Sequence, residues 1–255
     1  MAEQGVDEKM IGRTGCLVVA AVLGAGCASS QKKELGYELV AVSAASGVVP
    51  AAQSVQLREG TWAWQVTLGD GIGRLVERSR KRTDEYDATW VETEDDGRRE
   101  YFAHDDDGNL VLRVVVEPAD RAITFFEPPM IIAYRALAPD GPREQQVTMR
   151  VMDLARPERM KHRGVATRTV QYVDDRLIST PLGTMQTRRI EITFRADLGL
   201  PRAENATTLL VYPPLGVVVE KRKDTVSFMG VRIRHRDQTL VLRQMPDVTG
   251  AADPG

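Results

Sequence analysis

Arg189-Ile190-Glu191-Ile192-Thr193-Phe194-Arg195-Ala196-Asp197-Leu198 is the stretch that decides the fold of this chain. Its apolar residues, Ile190, Ile192, Phe194, Ala196 and Leu198, fall on every second position, with charged or polar residues between them. Successive side chains of a strand point to opposite faces, so this alternation puts an apolar stripe on one face and charge on the other. A sheet built this way is covered on one side only, which is the habit of antiparallel sheets. The same period of two returns in Leu110, Leu112, Val114 and Val116, set against Arg113 and Glu117. It returns again in Val231 and Ile233, set against Arg232, Arg234 and Arg236.

Working outward, the segments between such runs carry turn residues. Glu94-Asp95-Asp96-Gly97 and Asp105-Asp106-Asp107-Gly108-Asn109 supply positions that tolerate positive φ, and Pro213-Pro214-Leu215-Gly216 is another turn. Gly69-Asp70-Gly71-Ile72-Gly73 reads as a hairpin turn rather than a phosphate cradle. Asp174-Asp175 reads as a further break. Pro128-Pro129 and Pro139-Asp140-Gly141-Pro142 bracket an expected strand, Met130–Leu137. About nine or ten strands follow one another as hairpins. The expected fold is all-β, a single antiparallel meander sheet curling into a half-barrel or a barrel, with one short helix over Ile72–Arg82. Curling removes exposed edges and leaves a concave face that must be either filled or open.

The chain has 255 residues, a formal net charge of −2 and an aromatic share of 5%. Its near-neutral balance and few aromatics argue against a nucleic-acid partner, which favours a basic face and stacking platforms. Both cysteines, Cys16 and Cys27, lie near the N-terminus, which excludes a disulfide framework, a thiolate metal site and a cysteine nucleophile from the body.

Residues 14–26 form an apolar run too short for a membrane-spanning helix but suited to the core of a signal peptide. Glu3, Asp7 and Glu8 suit a signal poorly, and Met10 with Arg13 makes a better start. The run ends in Leu23-Gly24-Ala25-Gly26-Cys27, small residues directly before a cysteine. This resembles the lipobox of bacterial lipoproteins. The resemblance implies cleavage before Cys27, a diacylglyceryl thioether on its sulfur and an acylated amine, with palmitate among the acyl groups. Several chains anchor a protein far more firmly than one, since each buried methylene contributes about 0.8 kcal/mol. Ala28, Ser29 and Ser30 follow without an aspartate, which by the family's sorting rule implies the outer membrane, facing the periplasm. Ordinary signal-peptidase cleavage near Ala28, giving a free periplasmic protein, is the competing reading. The expected organisation is a signal peptide at 1–26, a tether with an early strand at 27–58, a β-rich domain at 59–245 and a polar tail at 246–255.

The body offers little that carries chemistry. His104, His162 and His235 lie far apart and lack metal-ligand spacing. The acidic turn at Asp105–Asp107 meets Gly108 too early for a calcium loop. No Gly-x-Ser-x-Gly elbow exists. No catalytic, cofactor-binding or metal-binding residue is therefore assigned, and Cys27 is the one site residue, for lipidation. The arginines of Arg78–Arg82 and Arg232–Arg236 read as a solvated sheet face rather than as a contact for lipid phosphate.

Over roughly residues 90–243 the turn motifs Pro128-Pro129 with Ala138-Pro139-Asp140-Gly141, then Ser179–Thr184, then Tyr212–Val218, stand in an order similar to that of β-rich bacterial envelope domains of unknown function. That resemblance implies location and fold, and by analogy the half-barrel of lipoprotein carriers. The expected function is a lipid-anchored, non-catalytic envelope protein that binds a partner or supports assembly. The alternative is a carrier of a lipid or other apolar ligand in the concavity of the sheet, and a third, weaker one is an envelope hydrolase.

Overall fold

The computed structural model describes residues 36–246. The expected signal peptide, Cys27 and positions 247–255 of the expected tail lie outside the described residues. In chain order the strands are β1 (Glu38–Ala44), β2 (Val49–Pro50), β3 (Gly60–Gly69), β4 (Leu75–Arg82), β5 (Trp90–Glu94), β6 (Arg99–His104), β7 (Leu110–Glu117) and β8 (Ala122–Ala133). They continue with β9 (Ala136–Leu137), β10 (Arg143–Asp153), β11 (Met160–Thr180), β12 (Gly183–Asp197), β13 (Pro201–Tyr212), β14 (Gly216–Phe228) and β15 (Val231–Gln244). One short helix, α1 (Ala51–Ser54), follows β2.

Twelve of these strands, β3–β8 and β10–β15, close an antiparallel up-and-down barrel. Closure is made by β15 against β3, from Gln238↔Gly69 to Gln244↔Ala63. Gly69 has to be glycine there: its φ is +88° and a Cβ would sit 1.6 Å from the carbonyl oxygen of Asp237.

Strand lengths explain what lies outside the barrel. β11 has 21 residues and β12 has 15, more than the 8 of β4 or β7. The surplus leaves the barrel wall. The lower half of β11 exchanges β10 for β1, with Glu38↔Ser179 through Ala44↔Asp174, making a three-stranded flap with β12. Val219 and Val241 are paired and point away from the lumen, yet both are buried. Ile178 and Met185 of the flap share their cluster and cover them. Asp174 and Asp175 mark the bend within β11 instead of ending it. Asp175 is tied to Tyr172 and accepts a hydrogen bond from the Ser46 hydroxyl at 2.9 Å, and Arg189 pairs with Asp174 at 2.7 Å.

Six hairpin turns, those after β3, β5, β7, β10, β12 and β14, lie at one end of the barrel, which forms the mouth. The opposite end is the floor. The chain from Val49 to Arg58 crosses it, with Val49↔Leu137 pairing β2 to β9 and Ala51, Val55 and Leu57 packed against the core around Phe102, Leu110 and Met130. Polar ties hold this strap: Gln56 donates to the carbonyls of Pro213 and Pro214 at 3.2 and 2.9 Å, and Arg188 donates to the Val48 carbonyl at 2.7 Å.

Several expectations are corrected. The sheet has more strands than nine or ten. Ile72–Arg82 is a turn and a strand, and the helix is Ala51–Ser54 instead. Pro128-Pro129 lies within β8 rather than before a new strand. The lone face of Leu110, Leu112, Val114 and Val116 is split by a register shift between Leu112 and Val114. As a result Leu112, Val115 and Glu117 line the lumen, while Val114 and Val116 pack outside with Tyr101 and Ile123. A bulge adds one residue and so reverses every side chain beyond it. The alternation read in β12 holds as expected, with Ile192 and Phe194 inside.

Candidate ligand cavity inside the barrel

A cavity of about 460 Å³ occupies the lumen above the floor. That volume is in the range of small-molecule sites. Its two sides differ in chemistry because different strands turn different faces inward. On one side, Phe102 of β6, Leu112 of β7, Phe126, Met130 and Ile132 of β8, Met149 of β10 and Ile192 and Phe194 of β12 make an apolar wall.

The other side is charged. β4 brings Arg78 and Arg80 inward, β5 brings Glu92 and Glu94, and β14 brings Glu220, Arg222 and Asp224. Arg78 sits between two carboxylates, Glu94 at 2.9 Å and Glu220 at 2.7 Å. Arg80 pairs with Glu92 and donates to the Gln56 carbonyl of the floor strap at 2.5 Å. Arg98 reaches Glu100 at 2.5 Å and Glu117 at 3.3 Å, and Arg222 pairs with Asp224 at 2.8 Å. Two of these guanidinium groups also lie over indole faces, Arg80 at 4.7 Å from the Trp62 ring centre and Arg78 at 5.4 Å from that of Trp64. Such contacts are strongest where water is excluded.

These partners set the protonation states. Burial pushes Glu94 up, but Arg78, Arg98, Arg222 and Arg236 outweigh it and hold its carboxyl down at about 2. Glu220 is likewise pushed up by burial and brought below its ordinary range, chiefly by Arg78. Glu94 and Glu220 are therefore members of charged pairs, whereas burial pushes Glu117 up.

One cation stands on the apolar side. Arg168 of β11 is 7% exposed and lies in phase with Ala166, Val170 and Tyr172, all buried. Its guanidinium donates to the carbonyls of Ile131 at 2.7 Å and Ile132 at 3.2 Å. Those carbonyls are free because β8 leaves its ladder with β10 after Glu127. Gln145 serves the same stretch, accepting from the Ile131 N–H at 2.7 Å and donating to the Pro129 carbonyl at 3.1 Å. Burial draws the Arg168 pKa down to about 10, against smaller opposing effects of Tyr134 and Glu100.

No protein-family model matches the chain, and no curated protein matches it. Among solved structures it is similar to one described as a "putative lipoprotein" from Parabacteroides distasonis, at 13% sequence identity over 73% of this chain and 94% of that one, with a TM-score of 0.34. So low a TM-score fixes neither fold nor function.

The sequence-level candidates are placed as follows. Cys27 is outside the described residues. His162 and His235 are exposed, the latter with Nδ1 3.3 Å from the Thr225 hydroxyl, and His104 lies beside the floor strap near Leu57. The three histidines are not brought together. Among the described residues no group of three or more His, Cys, Asp or Glu is arranged to hold a metal. The expected solvated face of arginines holds only in part. Arg78, Arg80 and Arg236 line the cavity, Arg234 is exposed at its rim, and Arg82 and Arg232 are exposed, as are Val231 and Ile233 at 66% and 63%. Sequence reading missed Arg168, although its signal was there: a single arginine in the apolar phase of Ala166, Val170 and Tyr172.

Proposed function

We propose that this protein is a non-catalytic binding module of the bacterial envelope that shelters the apolar part of an amphipathic ligand inside its barrel. Lipid on Cys27 tethers it at the outer membrane, facing the periplasm. The observation that carries the reading is the 460 Å³ cavity with an apolar wall, closed below by the Val49–Arg58 strap. Of the two leading expectations, partner or carrier, an unfilled lumen favours the carrier. The outward positions of β12, Arg189, Glu191, Arg195 and Asp197, are charged, which suits a barrel standing in water rather than one crossing lipid. The tail of such a ligand would lie against Phe126, Met149 and Phe194, facing a wall whose charges are paired with one another.

The test is direct. The full chain is expressed in a bacterium that lipidates it, purified without detergent and extracted into organic solvent for mass spectrometry. The expected result is a bound amphiphile near one per barrel. Protein that carries none, and takes none up when offered single-chain lipids, would remove the carrier reading. Cys27→Ser should release the protein from the membrane fraction; a variant that stays membrane-bound after a carbonate wash overturns the tether.

A further inference from the structure

We infer that Arg168 binds the anionic head of a single-chain amphiphile, so that the head lies deep in the barrel and the tail runs along the apolar wall. This rests on the cavity reading above and names the chemistry of its ligand: a carboxylate or phosphate monoester on one long chain.

Four observations support it. Arg168 is buried and lines the cavity, in a phase of β11 that otherwise holds apolar residues. Among the described residues it has no ion pair, in contrast to Arg78 with its two carboxylates. Tyr134 favours its charge most, and the carboxylate that also does so, Glu100, is committed to Arg98 at 2.5 Å. The direct neighbours of Arg168 across the two ladders are Phe194 and Gln145, with Ile131 and Ile132 at its guanidinium and the Tyr134 phenol nearby, so no carboxylate faces it directly.

Elementary electrostatics makes this arrangement costly without a ligand. Two carbonyl dipoles use two of the five N–H donors of a guanidinium and cancel only part of its charge. A buried charge without a counter-ion is expensive, and the weakened hold of Arg168 on its proton is the same cost seen in titration. Capping two carbonyls alone would need no charge, and a glutamine's amide would serve. The charge is explained by an anion that arrives from outside. A charge-assisted hydrogen bond in an apolar setting is about twice as strong as a neutral one, enough for selectivity between an anion and its neutral analogue.

The full chain, purified without detergent and stripped of lipid, is titrated by calorimetry with oleate, oleyl phosphate and oleyl alcohol. The expected result is that at least one anion binds about tenfold or more tighter than the alcohol. Which anion does so separates a fatty acid from a phosphate head. In Arg168→Gln the preference should shrink to about twofold or less, with the alcohol unchanged, and Arg168→Lys should restore part of it. If the wild type binds alcohol and anions equally, the Arg168 assignment is overturned and the cavity reading stands. If Arg168→Gln keeps the preference, the assignment is again overturned. If none of the three ligands binds, both readings fall. The wild-type comparison needs no variant, so a misfolded Arg168→Gln does not rescue the inference.

Discussion

The two sides of the lumen show two ways to furnish the inside of a barrel. β6, β8, β10 and β12 turn aromatic and methionine side chains inward, as most protein interiors do. β4, β5 and β14 turn arginines and carboxylates inward, where Arg78, Arg80 and Arg222 each meet a carboxylate. The apolar side is held by area removed from water and tolerates imperfect fit. The charged side is held by pairing, and it fails when a single partner is lost. The same shape therefore carries unequal risk on its two sides.

Arg78→Met is the sharpest way to break that comparison. It leaves Glu94 and Glu220, with side chains 11% and 10% exposed, without their shared cation. A loss of about 3–5 kcal/mol is expected in urea denaturation, the magnitude for breaking a buried pair from one side. The triple variant Arg78→Met with Glu94→Leu and Glu220→Leu should recover most of that loss. A triple variant no more stable than the single one would mean that the charges do more than cancel one another.

Acid should act on the charged side next. The Glu94 carboxyl is held near 2 against an ordinary value of 4.5. A carboxyl depressed by folding stabilises the native state above its ordinary value, and that contribution disappears as pH falls from about 4.5 through about 2. The contribution is about 3 kcal/mol. Unfolding free energy measured from pH 6 to pH 2 should fall accordingly, and Glu94→Gln should flatten the fall by about that amount. An unchanged slope would show that Glu94 titrates normally.

On the apolar side, Phe126→Ala should cost about 2 kcal/mol, below the 3–5 of an enclosed phenylalanine because the ring already borders open volume. It should also weaken amphiphile binding, whereas Arg78→Met should act mainly on stability. A Phe126→Ala protein that binds a single-chain lipid as tightly as wild type would place the tail elsewhere.

This contrast also explains what the sequence made legible. Ile190–Leu198 could be read because its apolar phase is the inward one. β4 and β15 have the same period with the opposite sense, and nothing local says so. Whether Arg78 faces in or out depends on Glu220, 142 positions away in the chain. The split face of β7 depends on a bulge in its pairing with β6, matched by a register shift against β8. Pro128-Pro129 looked like an end because proline cannot serve a ladder. β8 continues past it on its ladder with β7, and the side chains of Arg168 and Gln145, from other strands, serve backbone groups that β10 no longer meets. Periodicity gave the antiparallel sheet and left half-barrel or barrel open; the inside of the barrel was written in pairs that only the fold brings together.

At the mouth the two sides meet in one exposed contact, and it carries the smallest expected effect. Arg234 on the β14–β15 hairpin reaches Asp120, in the turn between β7 and β8, at 3.2 Å. The side chains are 50% and 58% exposed, so the pair contributes less than about 0.5 kcal/mol to stability. Lys161 holds the same turn by donating to the carbonyls of Asp120 and Arg121, both at 3.0 Å, so Asp120→Asn leaves the turn in place. What the substitution removes is a polar bridge between hairpins of the charged and apolar sides. Release of a bound single-chain lipid, followed by stopped-flow fluorescence at low salt, should quicken by about twofold, the equivalent of the pair's worth. Raising salt should narrow the gap, since exposed charges are screened within about 10 Å at 0.1 M. Equal release rates for wild type and Asp120→Asn at low salt would mean that the ligand leaves without parting these hairpins, and that the mouth is open as it stands.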